Sequence, residues 1–68
     1  MTNPTKYTSK VVKKRELNSM LKAIKDAKLP IREIDGNYIL KTKSGETAFS
    51  AMESNGVYLV KHMTQLFN

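Results

Sequence analysis

Sixty-eight residues leave room for a single domain, because a domain usually occupies roughly 100 to 200. The chain has no cysteine and one histidine, His62, so neither a disulfide frame nor a zinc site of familiar ligand spacing can be built, and no metal or other cofactor is expected. A core this small typically supplies only about 3 to 5 kcal/mol, which makes association with another chain the remaining way to reinforce it.

The net charge of +6 is unevenly spread. Residues 1–28 hold eight cations (Lys6, Lys10, Lys13, Lys14, Arg15, Lys22, Lys25, Lys28) against Glu16 and Asp26, whereas in residues 29–68 four cations meet four acids. The excess therefore belongs to the first part of the chain, where it would attract phosphate, an acidic protein surface or anionic lipid. No stretch approaches the ~18 consecutive apolar residues of a membrane span, and residues 1–10 lack the apolar region of a secretory signal. A cytoplasmic protein is expected.

In chain order, residues 1–10 carry Asn3-Pro4 with several Thr and Lys, and read as a flexible basic arm ahead of a single domain over 11–68. Leu17, Met20, Leu21, Ile24 and Ala27 then fall at the spacing of one helical face. The helix starts near Lys13, with Val12 just outside it and packing back on Leu17 as a hydrophobic staple, or earlier with Thr8 or Ser9 as cap. Pro30 disfavours helical geometry for the residue before it and stops the helix near Lys28.

From Ile31 the pattern changes to short β-branched and aromatic runs separated by Asp35-Gly36, Ser44-Gly45 and Asn55-Gly56, the dipeptides of tight hairpins. Strands are predicted over 31–34, 38–42, 47–52 and 57–62. The expected fold is α+β: one N-terminal helix packed on a four-stranded antiparallel meander, with Leu66 and Phe67 folding back onto an edge of the core. Two-residue loops at all three turns put Ile31, Tyr38, Leu40, Phe49, Ala51, Tyr58 and Val60 on one face, under Leu17, Leu21 and Ile24. The opposite face carries Arg32, Ile34, Ile39, Lys41, Ala48, Ser50, Met52, Val57, Leu59 and Lys61, with no acid among them. A single helix cannot cover both faces, so Ile34, Ile39, Met52 and Leu59 are candidates for a protein-binding surface. Antiparallel sheets also commonly leave one face wet, which is the plainer account.

Little in the chain suggests catalysis. His62 has no cysteine to pair with, and no nucleophile elbow, phosphate-binding loop or H-E-x-x-H motif occurs. Each of the three glycines is used in a turn. No catalytic residue, enzyme activity or small-molecule substrate is expected.

Arg15, Asn18, Lys22 and Lys25 recur at i, i+3, i+7 and i+10, and with Lys13 and Lys14 they form a stripe able to meet several phosphates. In a major groove, Arg15 and Asn18 are the residue types that read guanine and adenine edges. The ordinary account of such a stripe is a solvated helix face. A helix-turn-helix needs two adjacent helices and only one precedes the strands. The order matches the first part of a double-stranded RNA-binding domain, which however ends in a second lysine-rich helix. Residues 47–52 offer one aromatic where an RNA-recognition motif would use two or three.

The stretch over residues 51–61, AMESNGVYLVK, followed by Leu66-Phe67, resembles the C-terminal parts of small uncharacterised proteins encoded by tailed bacteriophages, and the Lys14 to Asn18 run is similar in character. The resemblance implies a class of small proteins that bind host nucleases, polymerases or DNA, and it carries no functional residues over. The leading expectation is a small basic module binding nucleic acid through Lys13, Lys14, Arg15, Asn18, Lys22 and Lys25, joined by Arg32, Lys41 and Lys61 of the uncovered face. The alternative is a protein-binding regulator, such as a phage inhibitor of a host enzyme, acting through Ile34, Ile39, Met52 and Leu59. Nucleic acid or an acidic protein is the expected partner, a homodimer is a further candidate, and no membrane is involved.

Overall fold

The computed structural model describes residues 6–67. Its elements run β1 (Tyr7–Val12), α1 (Lys14–Asp26), β2 (Arg32–Ile34), β3 (Asn37–Lys41), β4 (Thr47–Ser54) and β5 (Val57–Met63), closed by a 3-10 helix at Thr64–Phe67. The fold is α+β, with one helix on a single antiparallel sheet of strand order β1-β5-β4-β3-β2. Five strands stand where four were expected. The extra one, β1, comes largely from the segment read as an arm: Tyr7 to Val12 pair with Met63 to Tyr58. Residues 1–5 of that segment lie outside the described residues.

β1 escapes a hydrophobic pattern because two of its three helix-side residues are polar. Thr8 Oγ1 lies 2.9 Å from Thr64 Oγ1, and Lys10 Nζ lies 2.8 Å from Glu16 Oε2. These contacts, with the ladder to β5 and the bond from Thr64 N to the Lys6 carbonyl, hold the strand in place of apolar burial. The pairing also turns the four-stranded meander from Arg32 to Met63 into a sheet whose last strand is internal rather than an edge.

Helix α1 begins as its flanks require. Lys13 is the N-cap, in extended geometry, so Val12 precedes the cap and Leu17 is the fourth helical residue; both are buried in the core, the arrangement of a hydrophobic staple. At the other end Lys28 N bonds the Lys25 carbonyl at 2.9 Å and Leu29 N bonds the Ile24 carbonyl at 3.2 Å. This is a Schellman closure, and it puts Lys28 at φ 60°, a left-handed position that glycine fills without a Cβ clash. Lys28→Gly is therefore expected to stabilise the chain by about 0.5 to 1 kcal/mol, read as a higher urea midpoint at unchanged slope; a lower midpoint would show that the closure is not formed.

Two of the hairpins follow their dipeptides. Asp35 and Gly36, like Asn55 and Gly56, all have positive φ, giving two-residue turns with Ile34 opposite Asn37 and Ser54 opposite Val57. The Ser44-Gly45 turn differs. Gly45 N bonds the Thr42 carbonyl and Thr42 N bonds the Glu46 carbonyl, so the loop has three residues and ends with Gly45 left-handed. That shifts the pairing to Lys41 opposite Thr47, and a bulge restores Leu40 opposite Phe49. Ala48 is the extra residue. Expected on the uncovered face, it is buried in the core instead, because the bulge redirects it.

The core lies between α1 and one face of the sheet. Leu17, Met20, Leu21 and Ile24 meet Val12, Leu40, Phe49, Ala51 and Val60, with Ile31, Tyr38 and Tyr58 half-buried at the margin. The 3-10 helix closes the part of this face that α1 leaves open: the Phe67 ring meets Phe49 edge-on at 6.1 Å and His62 at 4.8 Å. Burial, with Glu33 and Tyr58 adding to it, raises the Tyr38 phenol above its ordinary value of 10.0. The neutral phenol is thus favoured in the folded chain, so this contribution is intact below pH 10 and is lost as pH climbs through the raised value. A tyrosinate absorbance titration should show a phenol ionising above pH 10, and Tyr38→Phe should remove that step.

Candidate functional site

Two surfaces carry the residues singled out in the sequence, and they lie on opposite sides of the sheet. The first is the outer side of α1. Lys14, Arg15, Asn18, Lys22 and Lys25 are all exposed, and at 3.6 residues per turn they fall within an arc of about 100°. Glu16 lies outside that arc, on the flank that reaches Lys10 of β1. Among the described residues this Lys10–Glu16 contact is the single ion pair, so Lys13, Lys14, Arg15, Lys22 and Lys25 have no carboxylate within 4.0 Å. Asp26, in the last turn, is the other acid of the helix.

The start of α1 adds to this surface. Lys13 makes no side-chain cap, and Glu16 turns to Lys10 rather than back to the cap nitrogen, so the first-turn amides receive no side-chain acceptor from the cap position. The positive end of the helix dipole is thus flanked by Lys13, Lys14 and Arg15. A shallow depression at the junction of β1 and α1 is lined by Val11, Val12, Lys13, Arg15 and Glu16. Its only carboxylate is Glu16, already paired with Lys10.

The second surface is the sheet face turned away from α1. Register places Arg32, Ile39, Ser50, Lys61 and Ser9 in one row across all five strands. Arg32 and Lys61 therefore do not share a surface with the helix cations, and neither does Lys41, which follows Ile39 on β3. The nine cationic or amide positions grouped in the sequence divide into a helix set of six and a sheet set of three. Beside that row runs an apolar one: Met52 opposite Leu59 and Leu59 opposite Val11, with Ile34 at the far edge beyond Asn37.

Ile34, Met52 and Leu59 are exposed as expected, at 57%, 56% and 49%. Ile39 is half-buried in the polar row, and Val11, 61% exposed, takes its place in the apolar one. Val11 was legible only as a member of the alternation Tyr7, Ser9, Val11, a signal hidden by the lysines and hydroxyls between them. Next to it, Lys61 Nζ lies 5.2 Å from the centre of the Tyr7 ring.

His62 belongs to neither surface. It sits on the helix side, 6% exposed, with Nδ1 at 2.7 Å from the Met63 carbonyl, which can only accept, so Nδ1 carries the proton. Its ring is packed edge-on against Phe67. Among the described residues no group of three His, Asp or Glu side chains is placed to hold a metal ion, and no helix is long and apolar enough to cross a membrane.

No family model, curated protein or solved structure matches this chain. The reading of the two surfaces therefore rests on their own chemistry.

Proposed function

We propose that the chain binds nucleic acid through the outer face of α1. The observation that carries this reading is the exposed arc of Lys14, Arg15, Asn18, Lys22 and Lys25, extended by Lys13, with its charge left uncompensated by the one ion pair of the described residues. A solvated helix needs charge for solubility, but acids serve that purpose at least as well as bases, and here one sign occupies the arc.

The thirteen residues of α1 span about 20 Å, long enough for cations along it to meet several successive phosphates. The opposite side of the helix buries Leu17, Met20, Leu21 and Ile24 in the core, which leaves the arc facing outward. Arg15 and Asn18 lie near the N-terminal end, where the dipole and the uncapped amides favour a phosphate as well. Backbone contacts of this kind position a duplex without reading its sequence; Arg15 and Asn18 are the two side chains able to add base contacts.

Fluorescence anisotropy of a labelled 20-base-pair duplex across a salt series tests the proposal. Five neutralised phosphates predict a slope of log K on log salt of about −4 to −5. A salt-independent signal, or none at 50 mM, removes the reading.

A further inference from the structure

The sheet face behind α1 is a separate surface, and we propose that it docks an acidic amphipathic helix of a partner protein. Val11, Leu59, Met52 and Ile34 form one row across the strands, interrupted by Asn37, whose Oδ1 accepts a bond from Glu53 N at 3.3 Å. Arg32 and Lys61 stand in the next row, two residues along each strand.

All six acids of the chain lie elsewhere. Glu16 and Asp26 are on α1, Asp35 is in a turn, and Glu46 is in the three-residue loop. Glu33 and Glu53 pair with Tyr38 and Tyr58 on the helix side, and Glu53 is further held by Gly56 N. The face thus combines an apolar stripe with a cationic border and, among the described residues, no carboxylate.

Dimensions point to a helix lying along the stripe. Five strands spaced about 4.8 Å apart make a row of about 19 Å, the length of about 13 helical residues. One helical turn rises about 5.4 Å, close to the strand spacing, so an apolar residue in each turn meets one strand after another. Carboxylates on one flank of that helix would lie over Lys61 and Arg32, roughly 7 Å away along the strands. The chain buries its other sheet face with a helix of its own, α1, of the same length.

Charge argues against the two other occupants. A second copy would bring an equally cationic face, on a chain of net charge +6, with no acid to compensate it. Single-stranded nucleic acid uses several aromatic platforms for its bases. Among the described residues this face offers only Tyr7, already covered by Lys61, and its exposed aliphatics have nothing to give a phosphate.

The test uses the full chain and a labelled 14-residue peptide with leucine once per turn and glutamate along one flank. Comparators are its scrambled form, a Lys-for-Glu form and a 20-nucleotide oligothymidine. Saturable binding of the acidic peptide is expected, weakened at least tenfold by Met52→Thr with Leu59→Thr, and separately by Lys61→Glu. These side chains are exposed, and thermal unfolding of each variant is the check that it stays folded. Arg15→Glu with Lys22→Glu and Lys25→Glu should leave peptide binding unchanged, which keeps this result apart from that of the duplex assay. The proposal falls if the peptide does not saturate, if the scrambled form binds equally, or if the helix reversals abolish binding. It falls equally if the Met52 and Leu59 variant instead abolishes a dimer seen by sedimentation, or binding of the oligothymidine.

Discussion

Reversing charge at Arg15, Lys22 and Lys25 to Glu together is expected to weaken duplex binding on the order of 100-fold or more at 100 mM salt and to flatten the salt slope by about 3. The three side chains are exposed and take no part in the ion pair of the described residues, so their replacement removes phosphate contacts without leaving a buried charge unpaired. Glutamate is a good helix former, which keeps α1 intact. Far-ultraviolet circular dichroism and the urea midpoint should accordingly stay near the parent values while affinity collapses. The matched control is Lys61→Glu, on the opposite face of the sheet, which should change duplex affinity little. Equal losses from the two variants would mean that net charge alone, and no particular surface, attracts the nucleic acid.

Phe49→Ala is expected to cost about 3 to 5 kcal/mol, comparable to the whole stability that a core of this size supplies, and so to leave the chain largely unfolded at 25 °C. Phe49 is 0% exposed, stands opposite Leu40 and His62 on neighbouring strands, and meets Phe67 edge-on. Its removal opens a cavity where the sheet, α1 and the 3-10 helix meet. Phe67→Ala, at a half-buried position, should cost less and leave a cooperative transition. The readouts are the near-ultraviolet spectrum and urea unfolding. A Phe49→Ala chain that unfolds cooperatively with less than about 1 kcal/mol lost would contradict the packing described.

Much of this architecture is written in short-range signals. The period of Leu17, Met20, Leu21 and Ile24 selects a helix and its buried face, and Asp35-Gly36 and Asn55-Gly56 select two-residue turns because their left-handed angles suit glycine and a short polar residue. Given those turns, alternation alone sorts Ile34, Met52 and Leu59 away from the helix. The cationic arc is equally local, since i, i+3 and i+7 lie together on any helix.

What only the folded chain decides is non-local. β1 exists because Tyr7 to Val12 find an open edge on β5, 56 residues away at one end of the ladder and 46 at the other, and because Thr64 and Glu16 satisfy Thr8 and Lys10. No apolar pattern within six residues can announce a strand two of whose three inward side chains are held by polar partners. The bulge at Ala48 likewise reflects a conflict between a three-residue loop and the register that the core demands. Composition and periodicity therefore determined a basic helix on an antiparallel sheet. The tertiary structure decided that the sheet has five strands, that Val11 completes the apolar row, and that the cations divide between two faces, because a strand's partner and a side chain's side are settled only when the ladder closes.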